Sequence, residues 1–228
     1  MAGSALAVLL VLELAAVPLA TPILSAAVAR CVEHERLEVM AVDRPVLPKL
    51  LLGRVSGVEL RAEGVTVDEL RIDRAHLDLS DAVLPWAISA PEPAPATLSL
   101  RVTTVDLEAA VRSRMPLGLP VRVRLERGLV VLGAPGVPVE LELAVDLAPD
   151  GTVRVRPQGG SDLLERLGIG QRFVPAAGAQ VLAVDIGDDE VTGRVALDVV
   201  PGLGDGGACA PPLAGSGSRT VHEAAVSA

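Results

Sequence analysis

Val137-Pro138-Val139-Glu140-Leu141-Glu142-Leu143-Ala144-Val145-Asp146-Leu147 places an aliphatic residue at every odd position, with Pro, Glu, Ala and Asp between them. Successive side chains of a strand point to opposite faces, so this period of two predicts a long strand with one dry and one wet side. The run Val121 to Glu126 alternates in the same way, with Arg122, Arg124 and Glu126 on the wet side. If the two strands pair, Arg122 and Arg124 face Glu140 and Glu142.

The pattern repeats outward from this stretch. Val58, Leu60 and Ala62 form one apolar row. Leu70 and Ile72 begin another, which slips near Arg74 and resumes at Ala75, Leu77 and Leu79; a β-bulge accounts for the slip. Leu182, Val184 and Ile186 are followed across Gly187-Asp188-Asp189 by Val191, Val195, Leu197 and Val199, which reads as a hairpin. Gly133-Ala134-Pro135-Gly136 and Pro149-Asp150-Gly151 supply turns between strands. Strands joined through short turns predict antiparallel pairing.

Helical signals are few. Thr103 and Asp106 resemble a capping box before Leu107, Ala110, Val111 and Met115, and Pro116 ends that segment. Ser161 caps a second short helix through Leu163, Leu164 and Leu167, closed by Gly168, and residues 26–37 are a further helical candidate. The chain therefore reads as α+β and β-rich, with one domain over residues 30–201.

Both ends differ from this middle. Residues 5–28 are apolar almost throughout, interrupted by Glu13, Pro18, Thr21, Pro22 and Ser25. Residues 1–29 read as a signal peptide, with Ala27-Val28-Ala29 as the cleavage site, or as a retained membrane anchor. An acid at a helix centre costs about 2.5–3.5 kcal/mol on insertion, which several Leu and Val residues offset. Either reading predicts export to the cell envelope. Residues 202–228 collect Gly, Pro, Ser and Ala without an apolar period, as a disordered tail does.

Composition narrows the function. Half of the 228 residues are hydrophobic, yet Trp86 and Phe173 are the only aromatics. The core must be aliphatic. Asn is absent and Lys49 is the only lysine, a skew that matches GC-rich coding. A net charge of -9, with no basic stripe interleaved with aromatics, argues against nucleic acid as a partner. Cys31 and Cys209 form no CxxC motif and are either incidental thiols or a disulfide linking the two ends. His34, His76 and His222 are far apart in sequence, so no metal site is expected.

Catalysis needs an activated nucleophile, paired carboxylates in different environments, or a metal. The sequence contains no GxSxG, HExxH or P-loop motif, and most of its acids fall on wet strand positions. No catalytic residue and no cofactor is assigned. Two segments remain open. Pro45-Val46-Leu47-Pro48-Lys49-Leu50-Leu51-Leu52-Gly53 is a short core helix or the lip of an apolar pocket. Val83-Leu84-Pro85-Trp86 places a Trp either in the core or at a wet–apolar boundary.

Arg44 to Arg54, followed by Val58-Glu59-Leu60-Arg61-Ala62-Glu63-Gly64-Val65, resembles the actinobacterial LmeA-type phospholipid-binding family, whose Pro-containing motif ends in Leu-Leu-x-Gly-Arg. The likeness extends over Val65 to Leu79, the helix after Thr103 and the strand pair from Gln180 to Val200. It departs at Arg44-Pro45-Val46-Leu47-Pro48, which lacks the aromatics that family members often carry there. The resemblance implies a curved antiparallel sheet wrapping one or two helices, similar to tubular lipid-binding (TULIP-like) domains. It also implies a non-catalytic envelope protein that binds or shuttles phospholipid or another acyl lipid at a membrane, in support of envelope or lipoglycan maintenance. Leu47, Leu50, Leu51 and Trp86 are the candidate lining of its groove. The alternative is a structural or protein-interaction domain of the same fold with a filled core.

Overall fold

The computed structural model describes residues 13, 18, 20–26, 28–31, 33–67, 69–83, 95–114, 120–136, 140–158, 171–173, 175, 178–198 and 200. The helix expected from Ser161, the strand start at 137–139, Trp86, Val199 and the tail at 202–228 lie outside these residues.

Among the described residues eleven strands and two named helices follow one another: β1 (Arg36–Ala41), α1 (Val46–Leu51), β2 (Arg54–Val67), β3 (Leu70–Val83), β4 (Ala96–Thr103), α2 (Thr104–Arg114), β5 (Arg122–Glu126), β6 (Leu129–Gly133), β7 (Glu140–Leu147), β8 (Val153–Pro157), β9 (Gln171–Phe173), β10 (Ala179–Ile186) and β11 (Glu190–Leu197). A helical segment over residues 20–26 precedes them. It continues through 28–29 to a turn at 30–31, and Leu37 is already in β1, so the helix read over 26–37 ends early.

Among the described residues all strand pairing is antiparallel. One sheet runs β1-β2-β3-β4-β11-β10 and the other β5-β6-β7-β8-β9. Neither closes into a barrel, and the fold is a curved β-sheet structure with helices on it. The β10–β11 hairpin forms across Gly187-Asp188-Asp189 as the alternation predicts.

The slip at Arg74 has a different cause from the one expected. Glu63 pairs with Arg74 and Val65 with Ile72, so β2 and β3 stay in step and no residue is inserted. Both strands turn over together instead, beside Gly64, whose φ of 63° is left-handed. On one side of it the inward pairs are Val58 with Leu79, Leu60 with Leu77 and Ala62 with Ala75. Beyond it they become Val65 with Ile72 and Val67 with Leu70. A second left-handed glycine, Gly57 (φ 59°), carries the buried face over to Val55.

True bulges sit elsewhere, between Val39 and Ala41 on β1 and between Val181 and Ala183 on β10. The latter corrects the apolar row read on β10. Val181 turns inward and Leu182 is left 45% exposed, before Ile186 is buried again.

In the second sheet β6 lies between β5 and β7, so the two strands with opposite charges do not pair. The charges still meet. Arg124 Nη2 lies 2.9 Å from Glu140 Oε2, reaching over β6 where Gly133 presents no side chain. Hydrogen bonding to Glu140, then its charge, with Glu126 adding to both, raises the Arg124 pKa further.

Helix α2 joins the sheets. Thr103 Oγ1 accepts a hydrogen bond from the Asp106 backbone N–H and donates to the Asp106 carboxylate at 2.7 Å, as the predicted cap requires. Leu107 packs on Val65, Ile72 and Val102 of the first sheet and, with Val111, on Val123 and Leu125 of the second. The backbone N–H of Gly128 donates to Ile186 O at 3.1 Å, and that of Thr104 to Asp189 O at 3.1 Å.

Candidate functional site

Pairing across the six-stranded sheet aligns one apolar row through every strand: Val39, Leu60, Leu77, Leu98, Val195 and Val181. A second row, Val58, Leu79, Ala96, Leu197 and Ala179, runs beside it. Neighbouring strands are about 4.8 Å apart, so six strands make an aliphatic band roughly 24 Å wide. No aromatic ring interrupts these rows, which leaves a smooth surface of methyl and methylene groups.

Three elements cover this face. Ala20 and Leu24 of the N-terminal segment are wholly buried and join the same core as Val55, Val58, Leu60, Leu79 and Val195, with Ile23 and Val28 packed beside them. The spacing of Ala20, Ile23, Leu24 and Val28 is that of one helix face. Helix α1 contributes buried Val46 and half-buried Leu47 and Leu50. Farther along, α2 covers the part of the sheet beyond Ala62 and Ala75.

The N-terminal segment is tied to α1 by its acid. The Glu13 carboxylate accepts hydrogen bonds from the backbone N–H groups of Val46 and Leu47, the latter at 3.0 Å. Those groups lack partners within the helix, and a negative charge at a helix start is favourable. Lys49 of α1 donates to Ser56 Oγ on β2.

The rim beside α1 is apolar and exposed. Leu51 is 72% exposed, Leu52 is 60% exposed and Met40 on the edge strand is also open. In sequence, Arg44, Lys49 and Arg54 stand on either side of these leucines. Of the four candidate lining residues, Leu47 and Leu50 pack on the apolar core, Leu51 points outward and Trp86 lies outside the described residues. The buried contributions of Ala20, Ile23 and Leu24 were missed by reading residues 1–29 as leader or anchor alone. Their three- and four-residue spacing was the available signal.

At the far end Arg71 links β3 to two neighbours, with Nη2 2.8 Å from Glu35 Oε1 and Nη1 3.5 Å from Asp106 Oδ1. Hydrogen bonding to Glu35, followed by the charges of Glu35 and Asp106, raises the Arg71 pKa. This ion pair holds the strand against the cap of α2. Cys31 is engaged in a disulfide, and Cys209, the only other cysteine in the sequence, lies outside the described residues.

Among the described residues no helix is long and apolar enough to cross a membrane, and no three His, Cys, Asp or Glu side chains gather as a metal site would. Compared with known families, residues 11–199 match the one described as LmeA-like phospholipid-binding. Neither the curated proteins nor the solved structures return a match.

Proposed function

The chain belongs to the LmeA-like phospholipid-binding family, and from that premise we propose that it is a non-catalytic carrier that holds phospholipid in the cell envelope. The observation behind this reading is the uninterrupted aliphatic band across the six-stranded sheet. A bilayer's hydrocarbon core is about 30 Å thick, so one leaflet's acyl chain spans about 15 Å, and a band of roughly 24 Å accommodates it lengthwise. Each methylene moved from water onto that surface contributes about 0.8 kcal/mol. Aliphatic walls without polar groups select for an acyl chain and not for its headgroup.

The headgroup then stays at the rim beside α1. Leu51 and Leu52 contact the bilayer surface there, and Arg44, Lys49 and Arg54 meet the phosphate. The residues covering the band are part of the chain itself, so loading requires the segment over residues 20–28 to shift or to share the surface. Its apolar composition suits it to leave the sheet for a membrane, with Glu13 releasing α1 as it goes. Residues 1–29 would thus anchor the protein at the outer face of the plasma membrane in one state and cover the lipid face in the other.

The burial of Ala20 and Leu24 also supports a second reading, a structural envelope domain whose core its own N-terminal segment fills. Mass spectrometry of organic extracts from the full chain, purified without detergent, separates the two. Phospholipid at one or more equivalents per chain is expected for the carrier. A stable, lipid-free protein that takes up nothing from vesicles would favour the filled core.

A further inference from the structure

The outer face of the six-stranded sheet, opposite the aliphatic band, carries an unusual concentration of cations. Pairing aligns Arg61, His76, Ser99 and Arg194 in one outward row and Glu63, Arg74, Arg101, Thr192 and Asp185 in the next. Arg74, His76, Ser99, Arg101, Asp185, Thr192 and Arg194 line a single recess. Three guanidinium groups meet one carboxylate there, in a chain of net charge -9.

The protein's own acids answer these charges in part, Glu63 standing opposite Arg74 and Glu190 and Asp73 beside Arg101. Arg74 and Arg101 stand directly opposite one another on β3 and β4, a like-charge pair that destabilises a sheet. Arg101 is held from its far side, with Nη2 2.6 Å from Glu190 and Nε 3.7 Å from Asp73. Its Nε is nonetheless buried and lacks a hydrogen-bond acceptor, as does Nε of Arg61 next to the recess. Among the described residues no hydrogen bond or ion pair engages the side chains of Arg74, His76 or Arg194. A buried donor without an acceptor is a cost that a bound anion removes, and the anion would also offset the like charges of Arg74 and Arg101.

The geometry points to a phosphate-binding site in this recess, formed by Arg74, Arg101 and Arg194, with Ser99 and Thr192 donating from their hydroxyl groups and His76 at its edge. A carboxylate offers two oxygens in a plane and satisfies one guanidinium fork. A phosphate monoester or diester offers oxygens in three dimensions, which suits donors converging from three strands. The sheet separates this recess from the aliphatic band, so the ligand is not the headgroup of a lipid lying on that band. It is a second ligand, either a soluble phosphate ester or the headgroup of another lipid.

Titrating inorganic phosphate into the full chain, followed through the backbone amide signals of Ser99 and Thr192, tests the site. Saturable shifts are expected, weakened about tenfold or more in Arg74→Gln and in Arg194→Gln. They should be unchanged in Arg36→Gln, which alters an exposed arginine on β1. Absence of saturable binding, or equal binding in all three variants, would overturn the proposal. Flotation with phosphatidylcholine vesicles, with and without phosphatidic acid, then assigns the source. Recruitment by phosphatidic acid that Arg74→Gln removes identifies a headgroup, and phosphate binding without such recruitment identifies a soluble ester.

Discussion

Glu13 and Leu47, 34 positions apart, are joined by a 3.0 Å hydrogen bond from the Leu47 backbone N–H to Glu13 Oε2, while Val46 donates to the other oxygen. The one acid in the apolar N-terminal run thereby serves as the cap that α1 lacks, since Pro45 provides no side-chain cap.

Removing that carboxylate tests the connection. Glu13→Ala is expected to lower stability by about 1–2 kcal/mol, the usual value of a lost cap, in urea unfolding of the full chain. Glu13→Gln keeps an acceptor and should lose less. Equal stability in all three proteins would mean that the N-terminal segment does not rest on α1 in solution.

The two left-handed glycines of β2 should be costly to replace. A Cβ on Gly64 would lie 2.4 Å from Glu35 Cδ, and one on Gly57 2.1 Å from Asp43 Cγ. Gly128, at φ 80°, has nothing within 4 Å. Alanine at Gly128 should cost only the left-handed backbone term of about 1–2 kcal/mol. Alanine at Gly57 or Gly64 should cost more, because Asp43 or Glu35 must also move. Melting temperatures of the three variants give the order.

Much of this architecture was legible in the alternation of residues, because a half-buried strand imposes it directly. Leu60 and Leu77, and the hairpin at Gly187, fall where period two puts them. Period two fails wherever the backbone changes face. At Gly64 a slip resembles a bulge, and at Leu182 a real bulge was invisible because Val181, Leu182 and Val184 are all apolar. The site was less legible for a related reason. Burial against a sheet and burial in a bilayer demand the same residues, so Ala20 and Leu24 read as membrane-bound. The outward arginines were individually ordinary, and only strand order brings Arg74, Arg101 and Arg194 together.

Leu60 lies in the middle of the aliphatic band, 2% exposed. Leu60→Ala should cost about 2–5 kcal/mol, as buried leucines do, read from the denaturant midpoint. If the band carries acyl chains, the space left should raise the capacity for short-chain phospholipid even as stability falls.

Leu51 and Leu52 separate docking from folding. Both are exposed, so Leu51→Asp with Leu52→Asp should change stability by no more than about 0.5 kcal/mol. Transfer of fluorescent phospholipid from vesicles should fall severalfold. Unchanged transfer would remove this rim from the lipid path.

Arg74 offers the opposite signature. Arg74→Thr relieves the pair with Arg101, and melting in phosphate-free buffer should rise slightly. In excess phosphate the advantage should vanish or reverse, since the unsubstituted protein gains more from the anion.

The two hydrogen bonds from Gly128 and Thr104 to the β10–β11 hairpin end on backbone carbonyls, at Ile186 and Asp189. A carbonyl is present whatever side chain stands there. The joint between the sheets is therefore insulated from mutational drift at its accepting end. Descendants of this sequence can exchange the acids of the turn freely, provided the loop keeps its length, while the strands on either side of it stay held in place.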